Sequence, residues 1–529
     1  MADMEVSLWR ILILVCILAA CAQQRTPTGG PRDTEAPRIV SAEPLPMSTY
    51  FDAQSIEIVF DEFVRLENVR EQVLISPPLE DNPDIQLKGG RRLIIDLGDQ
   101  ELAENTTYTI NLGSAVVDNN EGNVLESNVY LFSTGAVIDS LEMRGRILTA
   151  AYNRPCGDCL ALIYPDVADS MILGGRPLYV ARTDGEGNFY LSNLAMGDYQ
   201  LMGLRDINGD LGIGETEPIA FTDSTLRPLE RDTIGYTLRL SRAFQDDPAL
   251  NSADWGLDGS YLELTFRGTD SIPEFAGSAH DRLSFIQSFT QQGDSLRLWF
   301  APPVIAEDEL IISYAQLQDT LSPGRVTERA EQSVLMVATL DDEQSPAELQ
   351  FSSPIARLDT NGIELTRDSI SEPFQIQAEF PALAISLSAD WSIGNYTLTL
   401  DPGTVEDIYG ASNDTLVTVL RLPSPESFGI LRLDIDLPYN GDFVCQLLDK
   451  NDQVIRSVSF DDDGTWEVEY LNPDSYTLRV YEDTNGDDSW TPASFVDRRQ
   501  PEPVFMLSEA IVIRANWEVE QEVKVDFRP

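Results

Sequence analysis

The chain has 529 residues, of which 42% are hydrophobic and 9% aromatic, a composition typical of globular proteins. Its 88 acidic and 36 basic residues give a formal net charge of −52. A surface of that sign repels nucleic acid and anionic lipid, so nucleic acid is excluded as a partner. The single histidine, His280, argues against hydrolases with a histidine base and against zinc sites built on several histidines.

The N-terminus has the pattern of an export signal, which we assign to residues 1–20. The apolar run 11–20 is too short to span a bilayer but has the length of a signal-peptide core. It ends in LAAC, which resembles the lipobox of bacterial lipoproteins, where the cysteine, here Cys21, is lipidated and becomes the mature N-terminus. Two acids, Asp3 and Glu5, stand before the run where a basic flank is usual, and a start at Met4 would remove one. The alternative is an ordinary cleaved signal with a chance cysteine.

The lipobox resemblance implies a protein anchored to the membrane by acyl chains on Cys21. Ala22 favours the outer membrane, because an aspartate at that position would suggest retention in the inner membrane. Residues 21–36 are rich in Gln, Thr, Pro and Gly and predict a flexible tether. The side of the membrane, periplasm or cell surface, stays open.

Beyond the tether, short strand signals dominate. These segments are rich in β-branched and aromatic residues and are bounded by turn residues, as in IEIVF (56–60), LIIDL (93–97), YTINL (108–112) and VYLF (129–132). Long helical periodicity is scarce. The sequence therefore predicts an all-β fold of tandem β-sandwich modules, each of about a hundred residues.

The chain repeats itself. Residues 183–210 align without a gap on residues 460–487, and each copy predicts a turn, a strand, a turn, a strand and an acidic loop. A weaker similarity links 105–123 with 394–412, and another links 56–66 with 347–358. A unit of two modules therefore occurs twice, with a further β region between the copies.

Two families resemble these modules. IVFDEFV, LISPPL, NTTYTINL and VVDNNEGN resemble the bacterial Ig-like domain first described in S-layer proteins. TDGEGNFYLSNLAMGDYQL resembles the carboxypeptidase regulatory-like (prealbumin-like) sandwich, and CAQQRTPTGGPRDTEAP is similar to the start of a group of Bacteroidota lipoproteins. The resemblances imply fold and envelope location rather than activity. The predicted modules are an Ig-like domain (37–136), a carboxypeptidase regulatory-like β-sandwich (137–242), an additional β domain (243–342), a second Ig-like domain (343–424) and a second carboxypeptidase regulatory-like β-sandwich (425–529).

The acidic loops are candidate calcium sites. Asp206, Asn208 and Asp210 place oxygen ligands on one tight loop, and Glu217 falls where an EF-hand has its bidentate glutamate. The loop is not an EF-hand, because Leu211 replaces the required glycine and strands flank it. The second loop lacks the glutamate; its candidate ligands are Asp483, Asn485 and Asp487. Two interpretations stay open: a structural calcium site, or an acidic turn whose side chains bond to their own backbone.

Cys156 and Cys159 form a Cys-x-x-Cys that precedes a strand rather than opening a helix in a βαβ unit. In an oxidising compartment a local disulfide is favoured over free thiols, and both over a redox enzyme. Cys445 alternates with apolar neighbours and predicts a buried thiol.

No motif of an enzyme is recognisable: there is no phosphate loop, Gly-x-Ser-x-Gly elbow or His-Glu-x-x-His sequence. We therefore expect a non-catalytic, lipid-anchored cell-envelope protein acting as a binding scaffold or adhesion element, or as an accessory subunit of an outer-membrane protein complex. The first alternative is a glycan-binding surface lipoprotein, and the second is a hydrolase that uses paired carboxylates. The expected partner is an outer-membrane protein or a glycan.

Overall fold

The computed structural model describes residues 33–126, 128–173, 175–231, 235–244, 248–268, 272–289, 295–328, 333–340 and 345–527. The predicted signal peptide, Cys21 and most of the tether lie outside these residues. The predicted all-β class is confirmed: the α-helices in the described part are the short α1 (Val69–Gln72) and α2 (Asp169–Leu173). No helix in the described part is long and apolar enough to cross a membrane.

The first module is a sandwich of two antiparallel sheets. Its sheets have the strand orders β1-β2-β6-β5 and β4-β7-β9, and β3 pairs with β8. Along β2, Ile56, Ile58 and Phe60 are buried while the residues between them are more exposed, the alternation expected of a strand with one face on the core. The strands are β1 (Ile39–Glu43), β2 (Ser55–Phe60), β3 (Val64–Leu66), β4 (Leu74–Ser76), β5 (Asp84–Lys88), β6 (Arg92–Asp96), β7 (Thr107–Asn111), β8 (Val116–Asp118) and β9 (Val129–Ser133).

The second module has a different topology. One sheet has the order β13-β10-β16, in which β10 and β16 are parallel, and the other has the order β12-β11-β14-β15. The strands are β10 (Leu141–Thr149), β11 (Leu160–Pro165), β12 (Tyr179–Arg182), β13 (Asn188–Leu194), β14 (Tyr199–Leu204), β15 (Ile219–Phe221) and β16 (Tyr236–Leu240).

The third module returns to the topology of the first. Its orders β17-β18-β21-β20 and β19-β22-β23 match those of the first module strand for strand. The additional β domain therefore has the same two sheet orders as the Ig-like module. The strands are β17 (Ala249–Trp255), β18 (Tyr261–Arg267), β19 (Glu274–Ala276), β20 (Leu283–Ser288), β21 (Ser295–Phe300), β22 (Leu310–Tyr314) and β23 (Leu317–Leu321).

The fourth module has sheets of order β24-β25-β29-β28 and β27-β26-β30-β32, with β31 paired to β25. Its first strand lies before the predicted boundary at 342/343 and already pairs with β25, so the module begins earlier than predicted. The strands are β24 (Met336–Thr339), β25 (Ala347–Leu358), β26 (Ile363–Arg367), β27 (Ile370–Ser371), β28 (Phe374–Gln377), β29 (Ala382–Ala389), β30 (Gly394–Leu400), β31 (Val405–Asp407) and β32 (Leu416–Leu422).

The fifth module repeats the second. It has the orders β36-β33-β40 and β35-β34-β37-β38, with β33 and β40 parallel and β39 added to β37. The strands are β33 (Gly429–Asp436), β34 (Phe443–Leu448), β35 (Val454–Phe460), β36 (Gly464–Leu471), β37 (Ser475–Glu482), β38 (Val504–Met506), β39 (Ile511–Val512) and β40 (Glu518–Lys524).

The two copies share even an irregularity. The pairing of β10 with β13 and that of β33 with β36 both shift register next to the last residue of the second strand. In each shift one non-glycine residue takes a positive φ, Asn193 at 59° and Tyr470 at 57°. These residues occupy matching positions of the sequence repeat, so the repeat in sequence is a repeat in backbone conformation.

Candidate functional site

The first acidic loop connects β14 to β15 and is held by its own side chains. The Asp206 carboxylate accepts hydrogen bonds from the backbone N–H groups of Gly209 (2.8 Å) and Leu211 (3.1 Å). Asn208 accepts from the backbone N–H of Asp210 (2.9 Å), and its side-chain amide donates to the Asp210 carboxylate (2.9 Å). Three of the predicted ligands thus brace one turn.

Glu217, at the end of this loop, binds two of its backbone N–H groups. The side chain is buried, with 3% of its residue surface exposed. Its Oε1 accepts from the backbone N–H of Ile207 (2.7 Å) and its Oε2 from that of Gly214 (3.0 Å). Because a buried carboxyl group is costly unless it is hydrogen-bonded, these donors explain how Glu217 is accommodated in the interior.

The second acidic loop has the same design. Asp483 accepts from the backbone N–H groups of Gly486 (2.8 Å) and Asp488 (2.8 Å), and the Asn485 amide donates to Asp487 (2.9 Å). The match to the first loop therefore extends to individual hydrogen bonds.

A buried glutamate also closes the second loop, and sequence reasoning missed it. Glu502 is 2% exposed and accepts from the backbone N–H groups of Thr484 (2.7 Å) and Thr491 (2.8 Å). Glu502 corresponds to Glu217 of the first loop. The two glutamates are 285 residues apart in sequence, whereas Asp206 and Asp483 are 277 apart, so the second loop is eight residues longer. The signal that could have found it is the shared Glu-Pro pair before a strand, at 217–218 and 502–503.

The oxygen-rich loops have the donor chemistry of a calcium site but not its arrangement. Asp206, Asp483, Glu217 and Glu502 direct their carboxylates at backbone N–H groups. Within the described ranges, no group of three or more His, Cys, Asp or Glu residues is placed to hold a metal ion. The geometry is that of the acidic turn, and a cation would have to displace backbone donors. Calcium binding stays a prediction.

The cysteines lie in the cores of the second and fifth modules. Cys156 and Cys159 are joined by a disulfide at the start of β11, with Cα atoms 5.8 Å apart. The Thr183 hydroxyl donates to the backbone carbonyl of Cys156 (2.7 Å) and accepts from the N–H of Cys159 (2.8 Å), which fixes this turn. Cys445 is a buried free thiol whose pKa is raised to about 12 by burial, so it stays protonated and inert at neutral pH.

A pair of carboxyls in the first module bears on the hydrolase alternative. Burial, followed by the charge of Asp118, raises the pKa of Glu62. Burial would also raise the pKa of Asp118, but the backbone N–H groups of Asn123, Glu121 and Asn120 outweigh it and lower that pKa to about 2. Two carboxyls with separated pKa values are a feature of acid–base sites. Here both oxygens of Asp118 accept hydrogen bonds from the backbone of the turn, so this carboxylate holds the turn and is not aimed at a substrate.

The second acidic loop, which is eight residues longer than the first, reaches the second module. Residues 488–501, which we call the interface loop, place the Phe495 ring 5.4 Å from Phe221 and 5.5 Å from Phe244. Phe495 is 2% exposed and belongs to the same apolar cluster as Ile213 of the first acidic loop. Its backbone N–H donates to the carbonyl of Ala243 (2.8 Å). The insertion is therefore a docking element between modules.

Polar contacts surround that anchor. The Arg498 guanidinium forms a two-pronged ion pair with Asp169 and also donates to Gln200 (3.0 Å). The Gln500 amide donates to the backbone carbonyl of Phe221 (3.0 Å) and to Asp223 (2.6 Å). An apolar centre with a polar rim is the usual anatomy of a specific interface.

The contact is reciprocal. A turn of the second module, residues 152–154, covers the outer face of the fifth module. Its Arg154 pairs with Asp452 through two contacts of 2.5 and 2.8 Å, and the Tyr152 ring lies 5.2 Å from the guanidinium of Arg479. Arg479 is 9% exposed and bonds to Gln446 of the neighbouring strand (3.0 Å). We call the interface loop together with this turn the clamp.

The first module is similar to a known domain family. Residues 33–134 match the bacterial Ig-like domain family, and this range overlaps the Ig-like module predicted at 37–136. No curated protein matches the chain. Domains 1–6 of the surface layer protein SbsC share 11% identity with it, over 90% of this chain and 66% of the SbsC structure, with a TM-score of 0.14. The chain thus spans slightly less than two thirds of that structure.

Other solved structures are similarly distant. The major pilin subunit BcpA of Bacillus cereus shares 9% identity over 72% of this chain and 99% of its own, with a TM-score of 0.14. Domains A168–A170 of titin share 10% identity over 44% of this chain and 92% of theirs, with a TM-score of 0.13.

Proposed function

We propose that this chain is a non-catalytic, lipid-anchored protein of the cell envelope whose role is binding, either as a scaffold or adhesion element or as an accessory subunit of an outer-membrane protein complex. The observation that carries the proposal is the clamp between the second and fifth modules. The lipobox-like LAAC that ends in Cys21 supports the anchor, and Ala22 supports the outer-membrane location.

The clamp matters because modules in series normally move relative to one another. Here Phe495 is buried in the second module although it belongs to the fifth, and Arg498 pairs with Asp169 of the second module. The third and fourth modules lie between the clamped pair in sequence, so the chain must leave the second module and return to it. A body with fixed module positions loses less entropy when it binds a partner, which suits a scaffold.

The anchor is tested by replacing Cys21→Ala. We expect the protein to move to the soluble fraction or to keep its signal peptide, as seen by membrane fractionation and intact mass. Cys16→Ala, inside the predicted signal, is the matched control and should leave both readouts unchanged. Unaltered mass and membrane association of the Cys21 variant would refute lipidation.

The scaffold role is tested by affinity purification from gently solubilised membranes. We expect a stoichiometric outer-membrane protein with the wild-type chain and with Val496→Ala, whose side chain is exposed next to the anchor. The Phe495→Ala variant should no longer co-purify with this partner, because the clamp no longer holds the second and fifth modules in place. Glycan hydrolysis that disappears when a single carboxylate is replaced would overturn the non-catalytic assignment.

A further inference from the structure

The outer face of one sheet in the third module carries two chemically distinct rows of side chains. In the pairing of β18, β21 and β20, Tyr261, Trp299 and Phe285 stand directly opposite one another and therefore share a face. The next row along the strands is Glu263, Arg297 and Gln287. An aromatic row thus runs beside a polar one.

Arg297 links the two rows. Its guanidinium carbon lies 5.1 Å from the centre of the Tyr261 ring and 5.5 Å from that of Trp299, and its Nε donates to Glu263 (2.9 Å). The Tyr261 and Trp299 rings are 5.6 Å apart and tilted by 52°. These contacts hold the rings in place before any ligand arrives.

Two polar atoms on this face have no hydrogen-bond partner among the described residues. They are the indole N–H of Trp299 and the side-chain carbonyl oxygen of Gln287, both shielded from solvent. Trp299 as a whole is only 4% exposed. Since buried polar groups are nearly always paired, an unpaired donor and an unpaired acceptor on one face need an explanation.

Trp299 and Tyr261 also line a cleft of ≈ 450 Å³ between the third and fourth modules. Its other walls include Asp258 and Ser260 of the third module and Ser352 and Asp407 of the fourth. The Tyr409 hydroxyl of the fourth module donates to the backbone carbonyl of Ser260 (2.8 Å), so a direct bond joins the two sides. The volume is within the range of small-molecule sites.

We propose that this cleft binds a neutral saccharide. Tyr261, which is partly exposed, offers a ring on which a sugar can stack. The unpaired Trp299 indole N–H becomes a donor for a sugar oxygen once the ligand displaces the side chains that cover it. Serine hydroxyls and carboxylates along the walls suit the many hydroxyl groups of such a ligand. Asp258, Glu328 and Asp407 on the same walls disfavour an anionic ligand, as does the formal net charge of −52.

The inference does not depend on lipid anchoring or on the clamp, because every residue it uses lies in the third or fourth module. Failure of the proposed scaffold role would leave it standing, and loss of sugar binding would leave the scaffold role standing.

The test is affinity electrophoresis of the purified mature chain in gels containing a neutral β-glucan, a mannan, a galactan or, as the anionic counterpart, alginate. We expect retardation by at least one neutral polysaccharide and none by alginate. Trp299→Phe keeps a ring but removes the N–H and should weaken binding about fivefold to tenfold. Tyr261→Ala removes the stacking ring and should weaken it more than tenfold.

Trp517→Phe is the matched control, because this exposed tryptophan lies in the fifth module. It should bind like wild type, and circular dichroism and melting curves should show that every variant is folded. The proposal is overturned by binding to alginate alone, by no retardation with any neutral polysaccharide, or by equal binding of the wild type and both cleft variants. Binding of a peptide in place of sugar would also count against it.

Discussion

The replacement of Phe495 by alanine is the sharpest perturbation of the clamp. A buried phenylalanine truncated to alanine costs about 3–5 kcal/mol when the surroundings stay in place. Here the interface loop can also undock, so the loss cannot exceed the docking free energy itself. The ion pair beneath it contributes much less: Arg498 and Asp169 side chains are 31% and 41% exposed, and pairs of that kind are worth about 1 kcal/mol or less. We therefore expect Phe495→Ala to undock the loop and Arg498→Ala to leave it docked.

The assay is hydrogen exchange read at two amides of the interface loop. The N–H of Phe495 donates to the carbonyl of Ala243, and the N–H of Ala493 donates to the hydroxyl of Ser241, so both report docking directly. Protection should vanish in Phe495→Ala, fall slightly in Arg498→Ala and persist in Val496→Ala. If Arg498→Ala removes as much protection as Phe495→Ala, the apolar anchor does not dominate. Unchanged protection in all three variants would refute the docked arrangement.

Three further perturbations probe the loops. Replacing Asp118→Asn should lower the unfolding free energy at neutral pH. Because the folded pKa of Asp118, about 2, lies below the ordinary 3.8, its stabilisation is complete above about pH 4 and is lost as the pH falls towards 2. The urea midpoints of variant and wild type should therefore converge near pH 2. Replacing Glu502→Gln should destabilise the fifth module by about 1–3 kcal/mol in urea unfolding, since an amide N–H₂ would face a backbone N–H. For the calcium prediction, millimolar calcium should raise the melting temperature, and the double change Asp206→Ala with Asp210→Ala should abolish most of that rise. A wild-type melting curve that is the same with calcium and with a chelator would refute the site.

Local sequence patterns were sufficient for the class of fold and for the repeats. Alternation such as that of Ile56, Ile58 and Phe60 predicts a strand with one buried face, because successive side chains point to opposite sides. The sequence repeat aligns Asn193 with Tyr470, which share a positive φ, because the aligned segments contain no insertion. The topology of the third module could not be predicted, since strand order depends on pairing between segments distant in sequence.

The clamp was missed for a related reason. The alignment of the repeats ends at Asp487, just before the insertion that carries Phe495, and an insertion alone does not reveal what it contacts. A signal was nevertheless present. The strands LALIY (160–164) and FVCQLL (443–448) are continuously apolar or nearly so, which is typical of strands buried on both faces rather than on one. Such strands in an antiparallel sandwich require something to cover the outer face.

That requirement ties the acidic loops to the arrangement of the modules. On the second module the outer face is covered by Ile213 of its acidic loop together with Phe495 of the interface loop, so both acidic loops supply parts of one apolar cluster. The hydrogen bonds to Glu217 and Glu502 fix the ends of these segments and so set where the apolar side chains lie. In the second loop, the Glu502 carboxylate orders the loop and thereby positions the Phe495 ring in the interface. Each of the two acidic turns therefore contributes an apolar side chain to the same interface.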